Sequence, residues 1–233
     1  MNYPFEPFTD IPSLQKSVAD SFCELVHRTV TQNGVFRVSL SGGSTPRRVY
    51  EMLSERDLPW DKMHWFWGDE RNVSRDHGDS NFRMVDTALL SKVAIPQQNI
   101  HAVPVDVDSP ADAAEQYDQT LRTHFGDGMP VWDLVLLGMG DDAHTASLFP
   151  ETKALGEQSR RFVENWVPKF DAFRYTMTYP AIESGQNIWF IITGQAKQNA
   201  LQHVLFGEPD GSLYPSQRIR PTRWFVDAEA CQN

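Results

Sequence analysis

Val35-Phe36-Arg37-Val38-Ser39-Leu40-Ser41-Gly42-Gly43-Ser44-Thr45-Pro46 passes from a short β-branched run, through two adjacent glycines, to a hydroxyl residue followed by proline. Val49 and Leu53 then continue at helical spacing. The run reads as a strand and the glycines as a turn. Thr45-Pro46 reads as a helix start, with proline at the first helical position, where its missing N–H costs nothing. A strand–turn–helix unit that recurs commits a chain to α/β architecture, and this one recurs in both directions. Upstream, Ile11 to Asn33 reads as a helix, with Val18, Phe22, Leu25, Val26, Thr29 and Val30 on one face and Asn33-Gly34 as the stop.

Downstream, Met63 to Trp67 is a buried-type strand that runs into Gly68-Asp69-Glu70-Arg71, and a helix is predicted from Ser80 to Leu90. A short extended piece, His101 to Val105, precedes a helix from Ala111 to Phe125. Trp132 to Leu137 is the clearest strand pattern and ends at Gly138-Met139-Gly140. Later strands are predicted at Arg161–Val167, Tyr175–Tyr179, Asn187–Thr193 and Thr222–Asp227, with a helix at Ala196–Phe206. The alternation predicts a mostly parallel, Rossmann-like open sheet with helices on both faces, as one α/β domain spanning residues 1–233. Ligands of such sheets sit beyond the carboxyl ends of the strands.

Composition narrows the function. The chain has 233 residues, 21 Lys+Arg against 31 Asp+Glu, and a formal charge of −10. That balance argues against general nucleic-acid or anionic-membrane binding. Cys23 and Cys231 are the only cysteines, which excludes a disulfide framework or a Cys-rich zinc module and suits a reducing compartment. The start of the chain has no basic n-region or apolar h-region, and no apolar run reaches the ~18 residues of a membrane span. The expectation is a soluble cytoplasmic protein with no nucleic-acid or membrane partner.

Three polar motifs end predicted strands. Ser41-Gly42-Gly43-Ser44-Thr45 offers free backbone N–H groups and a helix N-terminus, a natural phosphate cradle that lacks the Walker ending. Its bland reading is an ordinary tight turn. Gly138-Met139-Gly140-Asp141-Asp142-Ala143 matches a dinucleotide fingerprint in form only, because two carboxylates stand where a pyrophosphate would sit. It reads better as an active-site loop that carries His144. Gly68-Asp69-Glu70-Arg71 reads as a solvated turn or as a site; Arg174 and Lys197 also stand at predicted strand ends. In a chain this acidic, an anionic substrate needs such local positive charge. The seven histidines contain no H-E-x-x-H and no tetrahedral zinc spacing, so neither a metal nor a cofactor is expected. No G-x-S-x-G elbow occurs either.

Taken together, Ser41–Pro46, Trp67–Arg71, Asp79–Asn81, Leu136–Pro150, Arg174–Pro180, Thr193–Lys197 and Arg220–Asp227 resemble the 6-phosphogluconolactonase family, the lactone hydrolases of the oxidative pentose phosphate pathway. The segments follow the family's order over most of the chain, and the one around His144 is the most specific. The resemblance implies hydrolysis of 6-phospho-D-glucono-1,5-lactone to 6-phospho-D-gluconate by a carboxylic ester hydrolase without a cofactor, in a chain able to act as a monomer. His144 would activate water as general base, a role suited to an imidazole with an ordinary pKa of ~6.5. Asp142 would orient the imidazole or shape the loop, and Asp69 would be a second base or a hydroxyl anchor. Arg71, Arg174 and Lys197 would bind phosphate and sugar oxygens, with Ser41, Gly42, Gly43, Ser44 and Thr45 as the cradle; sequence does not divide the cations between phosphate and oxyanion. In one departure, Ala143 precedes His144 where the family usually has glycine. The nearest rival resemblance is to glucosamine-6-phosphate deaminase, an aldose–ketose isomerase, which has D-E-Y where this chain has Asp69-Glu70-Arg71 and a Glu where this chain has Phe149. A non-catalytic phosphosugar-binding regulator is the third reading; it would have lost the catalytic His.

Overall fold

The computed structural model describes residues 3–231. In chain order the elements are α1 (Ile11–Asn33), β1 (Phe36–Leu40), α2 (Ser44–Leu53), β2 (Met63–Trp67), β3 (Asp69–Arg71), α3 (Asn81–Ala88), β4 (Ile100–His101) and α4 (Pro110–Phe125). They continue with β5 (Leu134–Leu137), β6 (Phe162–Val167), β7 (Ala172–Met177), α5 (Tyr179–Glu183), β8 (Ile188–Ile192), α6 (Gln198–Phe206), β9 (Arg223–Val226) and α7 (Ala228–Cys231).

Six strands form one sheet in the order β4-β2-β1-β5-β8-β9, and every pairing in it is parallel. Strands covered on both faces need apolar residues at every position, which is why β5 and β8 are buried along their whole length. Successive strand residues face opposite sides. Trp65 on β2 stacks near Phe22 of α1, whereas its neighbour Phe66 meets Phe125 of α4, so helices cover both faces. The α1 helix starts where the Asp10 carboxylate accepts the Ser13 N–H at 2.7 Å and stops at Gly34, whose φ of 76° suits glycine. No described helix is long and apolar enough to cross a membrane.

The predicted elements at 161–167 and 175–179 do not join this sheet. The observed strands β6 and β7 pair antiparallel with each other, and β7 pairs antiparallel with β3, which makes a separate three-stranded sheet. Only residues 168–171 link β6 to β7, far too few for a parallel crossover of a dozen or more residues. Gly68 joins the two sheets: its N–H donates to Leu40 O at 2.9 Å, and its carbonyl accepts from Met177 N at 2.8 Å. Of the extended piece predicted at 101–105 only His101 lies in a strand, as the last residue of β4, and α6 is preceded by a tight 3-10 turn, Gln195–Lys197. The helix predicted with Thr45 as its cap and Pro46 as its first residue begins two residues earlier, at Ser44, with Gly43 in the capping position at φ 108°.

In the parallel sheet the chain moves from β1 outward through β2 to β4, then returns to β5 and moves the other way. The strand order therefore reverses between β1 and β5. The loops after these two strands carry the glycine turn and His144, so the fold brings the two motifs to the switch point where open α/β sheets bind ligands.

Candidate active site

A cleft of about 320 Å³ opens at that point, lined by Ser41, Gly42, Gly43, Asp69, Arg71, His144, Phe149, Arg174 and Lys197 among others. Eight of the residues singled out from sequence thus share one cavity. Asp142 stands outside the lining, in contact with His144. Ser44 and Thr45 also fall outside the lining, in the first turn of α2. The Thr45 hydroxyl is instead hydrogen-bonded to the Thr193 hydroxyl at 2.7 Å, tying α2 to the end of β8.

The Gly138–Glu151 loop aims the imidazole. His144 Nδ1 lies 2.5 Å from Asp142 Oδ1, and the same carboxylate oxygen accepts the His144 backbone N–H at 3.2 Å. Lys169, in the turn between β6 and β7, donates to Asp142 Oδ2 at 2.8 Å and to Asp141 at 3.1 Å. Burial raises the Asp142 pKa, but the hydrogen bonds from His144 and Lys169 outweigh it and hold the carboxyl well below the usual carboxylate range. An anionic Asp142 acceptor keeps the proton on Nδ1, which leaves the lone pair on Nε2. Phe149 stacks on the imidazole at a centroid distance of 3.9 Å, so an apolar ring stands where the deaminase resemblance required an acid.

The loop packs so closely that one glycine is indispensable. A Cβ at Gly140 would lie 2.0 Å from His144 Nδ1 and 2.7 Å from Asp142 Oδ1. Gly140→Ala is therefore expected to force the imidazole out of its pose and lower turnover by about 10²-fold or more, since small misplacements carry such costs. Steady-state kinetics on the folded variant check this; unchanged turnover would show that the loop yields without disturbing His144.

Ala143 has φ 61°, the left-handed region its usual glycine would suit, and it is fully buried. Its carbonyl accepts from Ser216 N at 2.9 Å and Ser216 Oγ at 2.7 Å, which pins the conformation from outside the loop. Left-handed alanine costs roughly 1–2 kcal/mol, and the extra unfolded-chain entropy of glycine takes back about 0.5–1 kcal/mol. Ala143→Gly should thus stabilise the protein by about 0.5–1 kcal/mol in urea unfolding; a clear loss would show that Ala143 is unstrained.

The opposite wall is cationic. Arg71 on β3 and Arg174 on β7 are direct cross-strand partners. Like charges so placed repel, and neither guanidinium nor Lys197 forms an ion pair among the described residues. Arg174 Nε and Ser41 Oγ are buried without a hydrogen-bond partner, and the Arg174 guanidinium lies over Phe170 at 4.9 Å. Burial lowers the pKa of both Arg174 and Lys197, with the Arg71 charge adding to the effect on Arg174.

Two acids of the Asp69-Glu70-Arg71 triplet prove to be buried rather than solvated. Asp69 accepts the Ser147 hydroxyl at 2.8 Å, and the Asn81 side-chain amide donates to its backbone carbonyl at 2.9 Å. Glu70 accepts the backbone N–H groups of Asn81 and Phe82 at 2.7 Å each, filling the N-terminus of α3. Burial raises the Glu70 pKa in spite of these bonds. The sequence reading gave no role to Lys169, Phe149, Ser147 or Glu70. Lys169 reaches the site through the antiparallel sheet, whereas Ser147 lines the cleft from the loop that carries His144.

Known proteins agree with this architecture. A family model described as "Glucosamine-6-phosphate isomerases/6-phosphogluconolactonase" matches residues 9–227. The chain is 43% identical over 236 residues to a 6-phosphogluconolactonase of Nostoc sp., covering 99% of this chain and 98% of that one. It is 41% identical over 214 residues to a 6-phosphogluconolactonase of Synechocystis sp., covering 89% and 88% respectively. The solved 6-phosphogluconolactonase of Thermotoga maritima superposes with a TM-score of 0.84 at 29% identity, over 95% of this chain and 98% of that one. A monomeric glucosamine-6-phosphate deaminase shares the fold, at a TM-score of 0.80 and 19% identity over 97% of each chain. The chain belongs to the glucosamine-6-phosphate isomerase/6-phosphogluconolactonase family.

Proposed function

We propose that this chain hydrolyses 6-phospho-D-glucono-1,5-lactone to 6-phospho-D-gluconate, as a cytoplasmic enzyme of the oxidative pentose phosphate route, with His144 as general base. The observation that carries the reading is a cleft lined by His144, whose imidazole Asp142 holds from outside the lining, and by three cations that form no ion pair among the described residues. The cations and the glycine turn suit a phosphorylated substrate.

In the proposed reaction His144 Nε2 takes a proton from water as its oxygen bonds to C1 of the lactone. The carbonyl electrons move onto the exocyclic oxygen, whose negative charge the cationic wall stabilises. When the tetrahedral intermediate collapses, the C1–ring oxygen bond breaks and the imidazolium gives its proton to the departing ring oxygen. The result is an open hydroxy acid and a neutral imidazole ready for the next turn. Asp142 is a positioning group in this scheme, and Lys169 holds its far oxygen. Asp69 is held by Ser147 and Asn81, which suits an anchor for a sugar hydroxyl better than a second base.

The relatives' names support the lactonase reading over the deaminase one, as does Phe149 in place of an acid. Proton release in a pH-stat from freshly generated phosphorylated lactone, with glucosamine 6-phosphate assayed beside it, tests the choice. Enzyme-dependent acid from the lactone and no ammonia from the amino sugar is the expected result; the reverse would replace lactonase by deaminase.

A further inference from the structure

Outside the cleft, three histidines that are far apart in sequence converge on one face of the parallel sheet. His64 lies near the amino end of β2, His101 ends β4, and His124 stands in the last turn of α4. One ring nitrogen from each lies within 4.8 Å of the other two. His64 Nδ1 and His101 Nε2 are 3.0 Å apart, with ring planes 3° from parallel and centroids 5.3 Å apart. That centroid distance places the rings end to end, sharing a single proton. His124 meets His101 edge-on at 4.0 Å, and its ring nitrogens form no hydrogen bond to protein among the described residues. His101 is buried, while His64 and His124 are half-buried and leave a path to water. Phe66 and Phe125 supply the surrounding apolar wall.

We propose that His64, His101 and His124 form a three-imidazole site for a borderline divalent transition-metal ion of the zinc class, separate from the catalytic cleft. A zinc–nitrogen bond of about 2.0–2.1 Å sets tetrahedral ligand nitrogens about 3.3–3.4 Å apart. The observed spacings bracket that value, so small ring rotations close the shell and water takes the fourth position. The shared proton moves to an outer nitrogen of the same pair, so that pair binds as neutral tautomers without redox chemistry. No carboxylate belongs to the set, which disfavours magnesium, calcium and manganese. The facing charges are Arg37, whose field reaches His64 and His124, and Asp133, which accepts the Arg37 backbone N–H at 2.7 Å. Arg37 weakens binding of a dication without blocking it. A bound ion would brace the two-residue strand β4 and the end of α4 against β2.

Chelator-treated full-length protein, titrated with zinc by calorimetry and thermal melting, tests the site. One ion per chain is expected, with Tm raised by about 5–10 °C at a hundredfold excess over Kd. His124→Gln and His64→Gln, each checked for folding by circular dichroism, should lose both signals. His144→Gln should keep them. Absence of zinc binding in the parent protein would overturn the proposal. So would binding that survives both substitutions, or binding that disappears only with His144→Gln.

Discussion

His144→Ala is expected to lower turnover of the phosphorylated lactone by about 10²–10⁴ while KM changes only a few-fold. The loop should survive the change, because Asp142 keeps its bond to Lys169 at 2.8 Å and Ala143 keeps its two bonds from Ser216. What is lost is the nitrogen proposed to remove the proton from water and return it to the ring oxygen. Binding depends on the cationic wall, so affinity should hold. A correctly folded variant with near-normal turnover would take His144 out of the base role. Asp142→Asn should act more mildly, because it removes the charge that selects the tautomer but leaves the imidazole in place.

Arg174→Ala is expected to cut kcat/KM for the phosphorylated lactone by about 10²–10³ and for unphosphorylated gluconolactone by only a few-fold. Hydrogen bonds from a guanidinium to an anion contribute about 1.5–3 kcal/mol each, and a partly buried site screens them little. Arg174 also stands directly across from Arg71, so its loss removes a repulsion. The variant should therefore be as stable as the parent, or slightly more so, in urea unfolding. Activity that falls while stability holds is the pattern of a ligand-binding group. Equal losses on both substrates would contradict a phosphate role for Arg174.

Much of the fold was legible because strands buried on both faces read as unbroken apolar runs. Leu134–Leu137 is of this kind, Met63–Trp67 departs from it only at His64, and a glycine follows each. The second sheet was harder to read. Its strand β7, Ala172–Met177, begins with half-buried residues and carries Arg174 in its middle, so the apolar run stood out only from Tyr175. Starting the strand there stretches the link from β6 to seven residues, which is still too short for a parallel crossover, so the antiparallel pairing could have been read from the spacing.

The same pairing explains what was misread in the site. The triplet at Asp69-Glu70-Arg71 left a solvated turn open beside a site, because nothing local shows that β7 and α3 will cover Asp69 and Glu70. Lys169 lies 27 residues from Asp142, in a turn with no motif of its own, and reaches it only once β6 and β7 have folded back. The histidine cluster was invisible for a related reason. Its members sit on two strands and a helix at spacings that match no local metal motif, and the parallel register of β2 with β4 brings them together. By contrast His144, Asp142 and the glycine turn could be found at once, since each follows a strand whose end was marked by glycine.

The proposed reaction breaks one bond, between C1 and the ring oxygen of the phosphorylated lactone. Carbon NMR of lactone labelled at C1, generated in the tube and followed with and without protein, observes that bond directly. The lactone resonance should convert to the open carboxylate at a rate proportional to protein concentration, and His144→Ala should return the rate to nearly the spontaneous one. Decay at the spontaneous rate whatever the amount of folded wild-type protein would contradict it.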